Sequence, residues 1–509
     1  MLIFKEVQLL PEIFLGISII YLIIHGTFIS VDTKYLLIHN SVIYLSILIM
    51  SMFCYLLLNN TIEFNNFQIF NNTINIDFLG FCAKFWIALI SIFCFLMIQY
   101  YIITQKINYF EYSILILFSL LGIFFLCSSN DLITAYLSIE LQSLSFYILA
   151  TMKKDSSFSV DGGLKYFILG AFASSLFLFG SSLLYGVTGT TNLEDLKNLF
   201  SGISTQPNVI FAINNCTFTE NIFLNGSLVQ VALVFIFVSL LFKLAIAPFH
   251  LWSLDVYEGS PSSSTIFFAI IPKLAIFVLF IRIFYLSFFE YTNKWRYYIV
   301  IIAILSIIVG SFGGLEQKKL KTLLAYSSTS HMGYTLIAFT AGTIEGMQVL
   351  FCYLFLYMIA GLCIWSIFLI LQLKYKYTKK QNKDLTDLRL LNKSNNILAL
   401  SFSIVLLSIA GLPPMIGFLV KIGIFLASIE SSMYFVAIIS ILCSVISTFY
   451  YIRIIKIMYF ENTKVGKLYY PIKSDVSLVI VGLFYFLLFL FINPTLIYLV
   501  SYKLVLLLN

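Results

Sequence analysis

The chain has 509 residues, of which 61% are hydrophobic and only 10% charged, with a formal net charge of +7. Soluble proteins carry about 25% charged residues, so this composition excludes an ordinary soluble domain and leaves a polytopic membrane protein. The positive balance is then a matter of membrane topology and not a nucleic-acid footprint.

Apolar runs of about 18 residues or more, each long enough to cross a bilayer as a helix, recur along nearly the whole chain. They predict 14 spans, at 7–29, 36–58, 78–103, 109–128, 131–152, 161–187, 227–251, 263–287, 297–314, 320–342, 346–373, 397–429, 432–460 and 475–500. The first run, near Leu9, has neither a cationic flank nor a small-residue cleavage site, so neither a removable signal peptide nor a transit peptide is expected. Of the 30 Lys and Arg residues, 17 fall in loops after odd-numbered spans and five at the termini or after even-numbered spans. A miscounted helix would scramble this bias. By the positive-inside rule both termini are expected on the outer face. Loop 374–396 then faces the cytoplasm or the mitochondrial matrix. Loop 188–225, rich in Asn, Thr and Gly, is the long loop of the other face and is expected to pack over helix ends. The heavy use of Phe (52) and Tyr (32) fits an AT-rich genome such as an organelle's.

The eight cysteines form no C-x-x-C pair, which argues against an iron–sulfur cluster or structural zinc. No G-x-G-x-x-G and no G-x-x-x-x-G-K-[ST] occurs, so nucleotide binding has no support.

The remaining eight cations lie inside spans. Lys84, Arg282, Arg453 and Lys456 are close to span ends and are expected to snorkel to the headgroups. Lys165, Lys243, Lys273 and Lys421 are deeper, where an ionisable side chain reads as functional by default. Three of these lysines lie near prolines. Pro248 follows Lys243 in LFKLAIAPFHLW, Pro272 precedes Lys273 in AIIPKLAIFVLF, and Pro413 and Pro414 precede Lys421 in GLPPMIGFLVK. Proline breaks the helical ladder, and a broken helix at membrane depth belongs where it is packed in protein or lines a wet cavity. The expectation is broken helices around an ion path.

Glu140, in LITAYLSIELQSLSFYIL, is the carboxylate deepest in an apolar helix and the natural partner for a lysine. Glu12 and Glu345 are near span ends, and Asp131 is placed to cap a helix. His25 and His39 look peripheral. His250 follows Lys243 by seven residues, so the two are expected on one helical face, two turns apart. His331 sits among Ser and Thr in LLAYSSTSHMGYTLIAF, where a histidine can hold water and relay protons. Desolvation favours the neutral form of a lysine and a nearby carboxylate the charged form. A lysine that meets and leaves an acid therefore switches charge, as a proton relay requires. A sodium cage would need oxygen ligands instead.

Five segments, LFKLAIAPFHLWSLDVYEGSPSS, AIIPKLAIFVLFIR, KKLKTLLAYSSTSHMGYTLIAF, AGLPPMIGFLVKIGIF and IELQSLSFYIL, together resemble subunit 2 (subunit N in bacteria) of proton-pumping NADH:quinone oxidoreductase, respiratory complex I. The resemblance runs from about 110 to 460, and the run DVYEGSP (255–261) separates this subunit family from its sister antiporter-like subunits 4 and 5. It implies an all-α polytopic membrane protein of about 14 transmembrane helices, with an antiporter-like fold of two inverted five-helix repeats and broken helices 7 and 12. The implied divisions are an N-terminal three-helix region (1–108), a first repeat (109–287), a second repeat (288–460) and a C-terminal helix (461–509). It also implies a proton relay through Glu140, Lys165, Lys243, His250, Lys273, His331 and Lys421. No cofactor is implied in this chain; NADH, FMN, iron–sulfur clusters and ubiquinone would be held by other subunits. The implied partners are the antiporter-like subunit 4, the small membrane-arm subunits and lipids such as cardiolipin. The implied place is the mitochondrial inner membrane, with a bacterial plasma membrane or plastid thylakoid as alternatives. Leu254, Ser262 and Ser263 depart from the family pattern, in a connecting segment. A stand-alone cation/proton antiporter of the same fold and a purely structural membrane-arm subunit are the rival readings.

Overall fold

A computed structural model of the chain describes residues 7–30, 35–59, 67–105, 109–154, 156–204, 226–374, 379–381, 384–461 and 474–507. The long helices run in the order α1 (Leu10–Ser30), α2 (Tyr35–Asn59), α3 (Phe78–Gln105), α4 (Glu111–Ser128), α5 (Leu132–Thr151) and α6 (Ser157–Thr188). A short surface helix α7 (Leu193–Ser204) precedes α8 (Gly226–Leu244), α9 (Leu251–Gly259) and α10 (Ser262–Phe280), the last continuing as a π-helical turn over Ile281–Ser287. The second half comprises α11 (Thr292–Leu315), α12 (Leu320–Ala341), α13 (Ile344–Ile370), α14 (Asn396–Ala410), α15 (Ile416–Glu430), α16 (Tyr434–Tyr459), α17 (Ser474–Ile492) and α18 (Thr495–Leu506).

All 14 segments expected to span are helical over most of their described length. Among the described residues, eleven helices are long and apolar enough to cross a membrane by themselves, or twelve if α17 and α18 make one bent span. The two segments beyond these are informative. The first, α12, is diluted by Ser, Thr and His, and the second is divided into α14 and α15. The C-terminal segment differs from the single helix expected. It bends by 79° between α17 and α18, at Pro494, which has no N–H to continue the ladder.

The large exposed side chains on the outer helices are mostly apolar, as a bilayer or a partner helix requires. Ile13, Ile17, Ile20, Ile24 and Phe28 form one exposed stripe on α1, while Leu15, Ile19 and Leu22 are buried on the other face. The interior holds the polarity. Every residue of α10 is buried, and α13 is buried over nearly its whole length. The Ser/Thr-rich α12 tolerates burial because its hydroxyls bond to its own carbonyls. Ser327 donates to Leu324, Ser328 to Ala325, Ser330 to Ser327 and Thr335 to Met332, all at 2.7–2.8 Å. Asp131 caps α5 as expected, accepting from the Ile133 amide at 2.9 Å.

Two cations expected to snorkel turn inward instead. Lys84 pairs with Glu12 at 2.5 Å, both buried. Arg282 pairs with Asp77 at 2.7 Å and also donates to the Cys127 carbonyl at 2.9 Å. An acid on another element stands within reach of each, so pairing replaces the journey to the headgroups. Losing one partner of such a pair typically costs about 3–5 kcal/mol; the first pair ties α1 to α3, and Arg282 ties the end of α10 to the start of α3 and to α4. Arg453 donates to Leu315 at the end of α11, while Lys456 is exposed as expected. Residues 205–225 of loop 188–225, the side chain of His39 and part of loop 374–396 lie outside the described residues.

Candidate functional site

Two helix breaks and one buried helix hold the candidate residues. At the first break α8 stops at Leu244, Ala245 takes a left-handed backbone (φ 57°), and α9 begins at Leu251. Pro248 lies inside the break and supplies no N–H. Lys243 therefore sits in the last turn of α8, where a cation faces the negative end of the helix dipole. The carbonyl of Phe242 is satisfied across the break, by the Trp252 indole N–H at 2.9 Å.

The second break repeats this arrangement. Here α14 stops at Ala410, Gly411 is left-handed (φ 75°), Pro413 and Pro414 follow, and α15 begins at Ile416. Lys421 reaches back from α15 and donates to the Ala410 carbonyl at 2.7 Å. Each break thus presents the carbonyl end of a half-helix to a lysine.

Between the breaks lies Lys273, 3% exposed, in the middle of α10. Its ammonium donates to the Tyr357 hydroxyl at 2.9 Å, and Tyr357 donates onward to the Ala269 carbonyl at 3.2 Å. The Tyr357 ring stands 5.7 Å from that of His331. His331 is held at both nitrogens, Nδ1 to the Tyr353 hydroxyl at 2.6 Å and Nε2 to the Tyr451 hydroxyl at 3.1 Å. In a neutral imidazole one nitrogen donates and the other accepts, so the tautomer decides which tyrosine donates. Tyr334 continues the series. Its ring is 6.4 Å from that of Tyr353, and the Lys421 ammonium lies 5.4 Å from its centroid.

Two cavities close the larger gaps. One is lined by Gln142, Ser143, Lys243, Tyr257 and Lys273, so both lysines face the same space. The other is lined by His331, Tyr353, Tyr357, Ser408 and Lys421. Glu140, half-buried on α5, accepts from the Ser143 hydroxyl at 3.2 Å. It does not form an ion pair with Lys243 in this structure. The buried Lys243 ammonium lies 5.9 Å from the Tyr147 ring centroid, with no hydrogen-bond acceptor among the described residues. Ser143 is the link, bonded to Glu140 and lining the cavity of Lys243.

The structure thus brings Glu140, Lys243, Lys273, His331 and Lys421 into one row and leaves two expected members beside it. Lys165 lies on the outer surface of α6, paired with Asp255 at 2.6 Å. His250 does not share a helical face with Lys243, because the helix is interrupted between them. Its ring instead sits 6.1 Å from Tyr326 of α12. The hydroxyls around His331 also differ from those expected. The Ser and Thr of its own helix bond to their backbone, and tyrosines from α13 and α16 take their place. Tyr353 and Tyr357 were not singled out from sequence, although their spacing of four residues puts both on one face of α13.

Residues 129–447 match the family described as NADH:quinone oxidoreductase/Mrp antiporter, TM. The NADH-ubiquinone oxidoreductase chain 2 of Marchantia polymorpha is 40% identical over 509 residues, covering 98% of each chain. The chain belongs to this NADH-ubiquinone oxidoreductase chain 2 and subunit N family. The NADH-quinone oxidoreductase subunit N of Pelagibacter ubique is 38% identical over 90% of each chain. A solved structure, respiratory complex I from Thermus thermophilus with bound aureothin, contains a similar chain. It is 25% identical with a TM-score of 0.76, over 96% of this chain and 98% of that one. Membership explains the antiporter-like helical fold and identifies the chain as a multi-pass membrane subunit of a larger complex. Among the described residues no group of three or more His, Cys, Asp or Glu is placed to hold a metal ion.

Proposed function

We propose that the chain carries protons through the membrane arm of an NADH:ubiquinone oxidoreductase, along the row Glu140, Lys243, Lys273, His331 and Lys421. The observation that supports this reading most strongly is the buried row itself, in which three lysines and a histidine are joined by tyrosine hydroxyls and two shared cavities. A buried ammonium needs a counter-charge or a wet cavity. When Glu140 approaches, its carboxylate stabilises the Lys243 ammonium. When it withdraws, Lys243 gives its proton to the shared cavity and Lys273 receives it. Tyr357, His331 and Tyr353 offer hydroxyl and imidazole groups that exchange protons in place, and Lys421 is the last station before one face of the membrane.

The redox groups belong to other subunits in this reading. NADH, FMN, iron–sulfur clusters and ubiquinone would react there, and the quinone step would perturb the Glu140–Lys243 end of the row. The neighbours would be the antiporter-like subunit 4 and the small membrane-arm subunits, with lipids such as cardiolipin between them. The inner mitochondrial membrane, with both termini on the intermembrane-space side, accommodates the charge bias of the loops. The antiporter-like repeats would be helices 4–8 and 9–13, each with a break in its fourth span.

Membership of an assembly is tested by mild detergent extraction and native electrophoresis. The chain is expected to migrate in a large band that oxidises NADH. Migration as a free chain that exchanges cations for protons in vesicles would support a stand-alone antiporter instead.

A further inference from the structure

The ion pair between Lys165 and Asp255 lies outside the buried row, with the two side chains 58% and 52% exposed. Leu164 and Ile168 are exposed on either side of the lysine, and Asp161, one turn before it on α6, is a second acid close enough to act on it. Of the two acids, Asp255 is the one that bonds the ammonium, at 2.6 Å.

What the pair joins is specific. Asp255 belongs to α9, the short helix that follows the first break, and Lys165 to α6. The two helices meet backbone to backbone. A Cβ on Gly162 would lie 3.2 Å from the Asp255 carbonyl oxygen, and one on Gly259 would run into the carbonyl of Phe158. Next to Lys165, Tyr166 stacks on Trp252 of α9, with ring centroids 4.5 Å apart and planes 7° from parallel. Trp252 in turn donates to the Phe242 carbonyl, one residue before Lys243. Tyr166 also meets Tyr147, the ring beneath the Lys243 ammonium. At its other end α9 is tied to α12 by the ion pair of Glu258 with Lys319.

We propose that Lys165 is a positioning residue. With Asp255 it fixes α9 on α6, and α9 fixes through Trp252 the helix end that seats Lys243; Lys165 itself carries no proton. The inference rests on reading Lys243 as a proton carrier. The pair needs a permanent positive charge on α6 and a permanent negative charge on α9. A station in a relay needs a group that lets its proton go.

Arginine separates these roles, since it keeps the charge and the reach but does not release a proton. In the assembled complex, in vesicles, NADH oxidation and proton uptake are measured together for Lys165→Arg, Lys165→Met, Asp255→Asn and the exchanged pair Lys165→Asp with Asp255→Lys. Lys243→Ala serves as a control. Lys165→Arg is expected to keep proton uptake within about twofold of the parent, consistent with the arginine still pairing. Lys165→Met and Asp255→Asn are expected to lower the protons moved per electron several-fold, and the exchanged pair to recover most of the loss. Loss of pumping in an assembled Lys165→Arg complex would overturn the proposal, as would parental coupling in both neutral variants. If the neutral variants fail to assemble, the arginine variant still decides. Normal pumping in Lys243→Ala would remove the underlying relay reading. A pumping-defective Lys243→Ala beside a pumping-defective Lys165→Arg would remove only the positioning role.

Discussion

Lys273→Met stops proton transfer between the two halves of the chain while leaving the complex assembled. Lys273 occupies the centre of α10, a helix whose residues are all buried. Its ammonium is the hydrogen-bond donor to Tyr357 and faces the cavity it shares with Lys243. Methionine fills the same volume without a charge, so packing is kept. Losing one positioned proton-transfer group lowers a rate by about 100-fold at the low end, and proton uptake is expected to fall by that order. NADH oxidation falls with it if electron and proton transfer are tightly coupled. Lys273→Arg is expected to fail as well, because it restores the charge but not the exchange. The check is proton uptake by vesicles containing each variant, normalised to assembled complex. Uptake near the parental rate in Lys273→Met would show that protons do not cross between the halves at this position.

The second large effect is expected from Gly411→Ala. Gly411 begins the second break with φ 75°, a conformation that costs other residues about 1–2 kcal/mol. A Cβ there would also lie 2.6 Å from Cδ of Lys421 and 3.2 Å from its ammonium nitrogen. The side chain would have to leave, and the bond from Lys421 to the Ala410 carbonyl would go with it. A bond to a charged donor contributes about 1.5–3 kcal/mol, so the combined cost threatens both assembly and proton uptake. Gly482→Ala is the matched control, since nothing lies within 4 Å of its Cβ position. Native electrophoresis and proton uptake are expected to show a strong defect in Gly411→Ala and none in Gly482→Ala. Equal behaviour of the two would mean that Lys421 needs no fixed seat.

The helices were legible because a bilayer imposes a simple rule on sequence, about 18 apolar residues for each crossing. The breaks were legible because Pro248, Pro413 and Pro414 remove backbone donors where the chain is otherwise apolar. The bend at Pro494 follows the same logic but stands near the end of a span, where hydropathy alone does not place it. Pairing was harder to read. Lys84 and Arg282 have the depth of snorkelling residues, and only the packing of α1 and of the segment before α3 brings Glu12 and Asp77 to them. The relay lysines stood out because charge is rare in the membrane. The tyrosines that connect them did not, since 32 tyrosines in an aromatic-rich chain give Tyr353, Tyr357 and Tyr451 no contrast. Their role depends on helices α12, α13 and α16 meeting around His331.

The most direct measurement replaces Lys243 with alanine in the assembled complex and follows NADH-to-quinone electron transfer and proton uptake in the same vesicles. A relay through Lys243 predicts that the complex assembles and that both rates fall together. If both rates survive intact, Lys243 is a structural cation at a helix end, and protons do not pass through this chain by way of it.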